Sequence, residues 1–518
     1  MRSRQDIPAA GIAGAGSAPP RPATTRDRTT HPTEPPTLPT AASTSPKPQP
    51  TTDPDPTQQP GLGPTAARRP RHRARPRRRV RANRVGGTGM TPAKHTATAT
   101  NRRPSLLPRG ASLSPKQRLV LLLATLATAA SAWHALAPSW QVPLPSAANL
   151  GEERLQDFRD ALYFPIREFL HGGNPYDPAA MFAHWPVRQD FNLYQPYHLL
   201  LHAPFALPGY RAGAVAFSVV SLLLLIALAA MAAHAVRRFV PAPFGVTTAV
   251  VAALLVTSQV GKAQLYVGQI NPLVAVGAAG ALLARRDRPG WAAMALALAW
   301  LKPQYGLPLA VLLFARGSRR VALTGTAIAA AASLPVVALL VVRGGGIGPF
   351  LDVVVANLTH ARGTDYGAVD SVTAQRIDVA AVLFRVTGWA PAGVELAVLA
   401  GVLGTSALLA RRLTAPLADL LTCLAVVVCA VHQPGDVLIA VPSMAAVAAV
   451  WWRHRAGPWW GAAVVALAVP FGHLYTVDSL LGTAFGSRTA VTVDGVAVVF
   501  AWGLAVCAAA RPSRVLVT

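Results

Sequence analysis

The sequence predicts an all-α polytopic membrane protein, a bundle of about 11–12 transmembrane or re-entrant helices with interfacial helices in its outer loops. Three observations carry that reading. Apolar runs recur from Arg118 onward at lengths suited to a hydrocarbon layer about 30 Å thick. Arginines and acids alternate between successive connections, as the positive-inside rule requires. The apolar residues, 52% of the chain, are concentrated after the first 117 positions.

Residues 1–117 are rich in Pro, Thr, Ala and Arg, with few large apolar side chains to offset ordering entropy, so they are expected to be disordered. They hold 21 Lys and Arg against 5 Asp and Glu, or +16 of the formal net charge of +26. Arg68 to Arg84 (RRPRHRARPRRRVRANR) is expected to anchor the tail on the cytoplasmic face by attracting anionic lipid. Nucleic acid is the weaker reading, because no aromatic side chain interleaves the arginines to stack on bases. No apolar region follows Met1 to Arg4, so no signal peptide is expected there.

The membrane domain is predicted over 118–512, followed by a cytoplasmic C-terminus at 513–518. Apolar spans fall at 118–138, 210–236, 244–260, 269–285, 290–301, 304–315, 319–342, 391–410, 416–432, 437–452, 458–475 and 491–510. The pair around 290–315 reads as one helical hairpin broken at Lys302-Pro303, since proline ends a helix and restricts the residue before it. With the tail inside, the inner connections carry fourteen arginines, from Arg237 to Arg514, against the single acid Asp287. The opposite connections carry Glu152 to Asp190, Asp352 to Asp378, Asp436, and Asp478 to Asp494. This predicts a multi-pass plasma-membrane protein with both termini cytoplasmic. Its long outer loops would be 139–209 and 343–390. Chemistry on the outer side lacks nucleotide-activated donors, which favours a lipid-linked substrate.

Candidate chemistry then falls at four places. The first outer loop contains DFRDALYFPIREFLHGGNPYDP, Asp157 to Pro178. Apolar residues at 155, 158, 162, 166, 169 and 170 predict a short amphipathic helix on the outer membrane surface. It carries Asp157 and Asp160 on neighbouring positions of one face. A carboxylate beside low-dielectric surroundings has a raised pKa and suits a general base. The bland reading is a solvated face whose acids pair with Arg154, Arg159 and Arg167. The Gly172 to Pro178 turn is expected to end this helix and so fix Asp157.

In Gln264 to Pro272 (QLYVGQINP), Gln269 and Asn271 present amides at a helix mouth suited to hydroxyl or phosphate, or simply cap it. Lys302, a lone lysine within an apolar hairpin, is a functional hypothesis by default, against a snorkelling side chain. His432 and Asp436, in His432-Gln433-Pro434-Gly435-Asp436, could serve proton transfer or an acceptor hydroxyl, or form an ordinary turn. Asp365, Asp370, Arg376 and Asp378 are weaker candidates in the 343–390 loop, whose length suggests a lid or binding segment. Cys423, Cys429 and Cys507 read as apolar filler. No metal-site spacing, Walker loop or dinucleotide motif appears.

These residues resemble the family 87 membrane glycosyltransferases. The resemblance lies in DF-x₄-Y at Asp157–Tyr163, GGNPYDP, Tyr194-Gln195-Pro196 with Ala203-Pro204-Phe205, GQIN at 268–271, LKP at 301–303 and the HQPGD turn, in that order, over roughly 118–475. It implies a GT-C-like bundle and an inverting mannosyltransferase of the kind found in actinobacteria. The donor would be polyprenyl-phosphate-mannose, acting on a lipid or cell-envelope glycan on the extracytoplasmic face. No cofactor or metal is implied beyond that donor.

Carried over by position, Asp157 becomes the general base, with Asp160 as alternative. Lys302, Gln269 and Asn271 face the donor phosphate or sugar, and His432, Asp436 and Tyr194 the acceptor. The runner-up is a transporter or flippase of lipid-linked intermediates using the same broken hairpin. A scaffold whose basic tail recruits partners is a third reading.

Overall fold

The computed structural model describes residues 112–364, 366–370, 376–453, 455–472, 483–484 and 492–511. The expectations for the tail up to residue 111, for Asp365, for the loop around Asp478 and for 513–518 lie outside the described residues. Every regular element among the described residues is a helix, and each predicted apolar span coincides with one or more of them over its described residues.

Local chemistry sets the helix ends. Pro115–Leu136 begins with a reciprocal capping box, in which the Ser114 side chain accepts from the Gln117 backbone and the Gln117 side chain from that of Ser114. Gln259–Val267 stops at Gly268, whose φ of 76° is the left-handed value that glycine adopts without a steric penalty. Lys302 is extended, at φ −110° and ψ 107°, because Pro303 follows it.

Among the described residues five helices are long and apolar enough to cross a membrane: Pro115–Trp140, Tyr210–Arg237, Arg319–Arg343, Pro434–Trp452 and Val493–Ala510. Phe244–Thr257 with Gln259–Val267 would make a sixth, but the two limbs bend by 66°. The apolar span expected at 244–260 is therefore not one straight helix. Ser258 interrupts it, because its extended backbone leaves the first limb and its hydroxyl accepts from Gly261 N at 3.0 Å to start the second.

Other apolar helices are shorter. Asn271–Ala284 has 14 residues and Pro303–Ala315 has 13, or roughly 20 Å each at 1.5 Å per residue. Neither reaches across a 30 Å hydrocarbon layer alone. Their polar ends therefore sit closer together than two membrane surfaces.

The outer and inner surfaces of the bundle differ in kind. Leu122, Leu123, Leu223, Leu254, Leu334 and Leu408 are all more than half exposed, as a surface facing lipid requires. Inside, small residues let backbones approach. A Cβ on Gly277 would meet Ala295 O at 2.7 Å, and one on Gly325 would meet Ala293 O at 2.8 Å. These two glycines hold Pro289–Ala299 between Asn271–Ala284 and Arg319–Arg343.

The first long loop corrects one expectation. Phe158–Tyr163 forms a π-helical turn continued by the α-helix Phe164–Leu170. Phe158, Leu162 and Ile166 are at most 1% exposed. This segment is packed into the protein core and does not present an exposed apolar face. The reason is aromatic packing: Phe158 meets Tyr210 and Phe217 at ring distances of 5.8 and 5.1 Å. The 343–390 loop is likewise largely structured, as Ile347–Gly363 and Val379–Thr387. Asn357 in the first of these exchanges two hydrogen bonds with the Asn192 backbone, at 3.1 and 2.8 Å.

Candidate functional site

Segments far apart in sequence converge at one end of the short helices. Leu155 N donates to Tyr266 O at 2.7 Å, and a Cβ on Gly268 would meet Phe158 Cβ at 2.9 Å. These two contacts press the start of the π turn onto the QLYVGQ segment. Leu155 has a φ of 56°, a left-handed conformation that a branched side chain adopts only under constraint. Asp157 follows two residues later. Its position is thus set by the Gln264–Gln269 stretch, not by the Gly172 to Pro178 turn as the sequence suggested.

That turn does another job. The Tyr176 hydroxyl donates to Tyr194 O at 2.9 Å, and Tyr194 N donates to Asn192 Oδ1 at 2.9 Å. Gln195 N reaches Leu301 O at 3.1 Å. The GGNPYDP turn therefore holds Tyr194 against the break in the hairpin, where Lys302 Nζ lies 5.6 Å from the Tyr194 ring centroid. This is within cation–π reach. Lys302 is 8% exposed, and it forms no ion pair among the described residues.

Asp157 is partly exposed, in surroundings crowded with protein. Burial is the largest influence and raises its pKa from the ordinary 3.8 to about 6, against the lowering effect of Lys302 and of the Gln269 amide. Asp160 and Asp436 push it further up. A carboxylate so placed is mostly ionised at neutral pH, yet more basic than a free one. Tyr194 is held well above its usual pKa by burial and then by Asp157 and Asp436, so it stays a neutral phenol.

The HQPGD turn closes the same cluster. Pro434–Ala440 is a 3₁₀ helix started by Asp436, whose Oδ2 accepts from Gln433 N at 2.9 Å. Its Oδ1 accepts from Asn271 Nδ2 at 2.7 Å. Asn271 also donates to Gln269 Oε1, and Gln269 Nε2 donates to Gln433 Oε1 at 3.4 Å. His432 is buried, with Nδ1 3.0 Å from Ala430 O and its ring edge-on to Tyr305 at 4.6 Å. Burial lowers its pKa, so the ring is neutral at pH 7. With Nδ1–H donated to that carbonyl, Nε2 is left as an acceptor.

The structure thus brings together Asp157, Lys302, Gln269, Asn271, Tyr194, His432 and Asp436. It sets Asp160 apart. Asp160 pairs with Arg159, Nε to Oδ1 at 2.6 Å and Nη2 to Oδ2 at 3.1 Å, and accepts from the backbone of Arg188 and Gln189 at 3.2 and 3.1 Å. Burial raises its pKa and the Arg159 contacts lower it. These contacts tie the loop to itself and leave the carboxylate no free face. Asp160→Asn is expected to cost about 3–5 kcal/mol, because it leaves a buried guanidinium uncompensated. Thermal unfolding of the variant in membranes checks this: an unchanged midpoint together with lost activity would return Asp160 to a chemical role.

Arg376 and Asp378 are also structural. They pair at 2.8 Å, Arg376 reaches Glu395 at 2.7 Å, and Ile377 N donates to His432 O at 2.9 Å. This joins the second long loop to the site.

Sequence reasoning missed Gln264 and Tyr305. Buried and without hydrogen-bond partners among the described residues are Gln264 Oε1, Asn271 Oδ1 and His432 Nε2. The Tyr305 hydroxyl makes no well-aligned hydrogen bond, although Asp436 is near enough to act on it. Native interiors rarely leave such atoms unmatched, and here they collect where Gly435 packs on Gln264. The available signal was the polarity of QLYVGQINP and of KPQY within apolar runs.

Together these groups place a carboxylate of raised pKa, a cation and several amides in one cluster. The profile of glycosyltransferase family 87 matches residues 192–442. That region contains Tyr194, Gln269, Asn271, Lys302, His432 and Asp436, and begins after Asp157 and Asp160. No curated protein and no solved structure matches the chain.

Proposed function

We propose, from the match of residues 192–442 to the profile of glycosyltransferase family 87, an enzyme that transfers a hexose, most simply mannose, from a polyprenyl-phosphate-sugar donor. The acceptor is a lipid or cell-envelope glycan on the extracytoplasmic face of the plasma membrane. The observation that carries this reading is a carboxylate of raised pKa, Asp157, within electrostatic reach of the buried Lys302, which forms no salt bridge among the described residues.

In the proposed step Asp157 takes the proton of an acceptor hydroxyl. The oxygen attacks the anomeric carbon from the face opposite the leaving group. The bond from that carbon to the phosphate oxygen breaks, and polyprenyl phosphate departs with the electron pair. One displacement inverts the anomeric centre. Lys302 neutralises the charge that grows on the phosphate, the place where fixed charge contributes most. Phosphate is already a stable leaving group, so no general acid is required. Gln269, Asn271 and Gln264 suit the hydroxyls of the sugar, and His432, Asp436 and Tyr194 line the acceptor side.

Membranes containing the protein, supplied with radiolabelled polyprenyl-phosphate-mannose, are expected to move label into a lipid or glycan fraction. If no polyprenyl-phosphate hexose gives transfer while the protein moves such lipids between leaflets, the proposal fails.

A further inference from the structure

The bundle has a second polar centre, at the far end of the short helices. Asn271–Ala284 and Pro303–Ala315 both start in the site described above and end at Arg285 and Arg316. There a cavity of about 520 Å³ is lined by Arg285, Arg286, Arg316, Ser318, Arg319 and Arg320, among other residues. We propose that this cavity binds a phosphate-bearing anion, either the headgroup of an anionic membrane lipid or a soluble phosphate compound.

Arginines that only orient a membrane protein can point anywhere into water. These do not. Arg285 and Arg316 side chains are only 6% exposed and converge on Asp419, at 3.0 and 2.6 Å. Arg316 also donates to Thr422 Oγ1 at 2.9 Å. Two guanidiniums on one buried carboxylate leave a positive charge at the cavity wall.

Arg286, Arg319 and Arg320 add three exposed cations, and no acid is among the residues that line the cavity. Arg319 and Arg320 also occupy the first turn of the 25-residue helix Arg319–Arg343, which has no acid there. A helix N-terminus is already positive and offers unpaired N–H groups. Two cations at that position repel it unless an anion sits between them. The Ser318 hydroxyl makes no capping bond. Guanidinium forks suit phosphate oxygens, and the volume falls within the range of small-ligand pockets.

The test uses the full chain in nanodiscs of neutral phosphatidylcholine. Phosphatidylglycerol is added to the discs in one arm and inorganic pyrophosphate to the buffer in the other, with the thermal unfolding midpoint as readout. Arg319→Ala/Arg320→Ala alters exposed side chains and leaves the Asp419 contacts intact. Arg453→Ala/Arg455→Ala, a pair outside the cavity, is the control.

A rise in midpoint in one arm is expected. The Arg319→Ala/Arg320→Ala variant should need at least about ten-fold more anion for half of that rise, and the control variant no more than wild type. The responding arm identifies the source, lipid or soluble. A response equal in all three proteins, or none in either arm, overturns the proposal.

Discussion

Asp157→Asn is expected to abolish sugar transfer and, at the same time, to make the protein more stable at neutral pH. The amide keeps the size and hydrogen-bonding reach of the carboxylate but cannot accept a proton, and loss of a positioned base typically costs 10²–10⁴-fold. The stability gain follows from burial. Asp157 titrates near 6 in the folded chain, against 3.8 when free. Between those values the folded state binds the proton that the unfolded state has released. Above about pH 6 the carboxylate is ionised in both states, and the desolvation penalty is complete. Stability therefore declines as pH rises through this window, by up to about 3 kcal/mol for a shift of roughly two pH units.

Asparagine removes that penalty, so the variant should lack the decline. Wild-type activity should rise with pH through about 6 as the base ionises. Transfer assays and thermal unfolding across pH 4.5–8 measure both effects. A variant that retains transfer, or that unfolds earlier than wild type at pH 7.5, removes Asp157 from the proposed role.

Lys302→Met should produce the second largest effect, in two linked forms. Loss of the cation proposed to face the donor phosphate is expected to raise KM for the lipid donor by about ten- to a hundred-fold, as for a charged hydrogen bond removed from a buried site. Lys302 is also the foremost influence holding the Asp157 pKa down, so the acid limb of the pH–activity profile should move to higher pH. The two readouts separate chemistry from architecture. A lysine that merely closed the hairpin would lower stability and leave the pH profile in place. A profile that does not move, with KM unchanged, would exclude Lys302 from the donor site.

The candidate site was partly legible before the structure, for reasons that differ between residues. Lys302 stood out because a single cation in ALALAWLKPQYGLPLAVLLF has no cheap place in hydrocarbon. Gln269, Asn271, His432 and Asp436 were visible as polar interruptions of apolar runs, although the same residues could have been plain caps and turns. Asp157 and Asp160 were indistinguishable by periodicity, being three apart on one helix face. Their separation depends on which of the two acids Arg159 pairs with, and on the backbone N–H groups of Arg188 and Gln189, which reach Asp160 from 28 and 29 residues away. Gln264 and Tyr305 went unnoticed because a glutamine and a tyrosine within apolar helices have many harmless explanations. Only their convergence on Gly435 and His432 makes them notable.

By itself the sequence determined that the chain is helical, where its apolar segments run and where most of them break. Those features follow from hydropathy, proline and glycine, which act over a few residues. It also determined the alternation of charge between connections. The tertiary structure decided that the first loop is core, that its GGNPYDP turn serves Tyr194 while the QLYVGQ segment places Asp157, and that Asp160 is tied into an ion pair. It also decided that five guanidiniums share a cavity. Each of these depends on which groups meet in the folded chain, and on the burial that results. Burial is what raises the pKa of Asp157 from 3.8 to about 6.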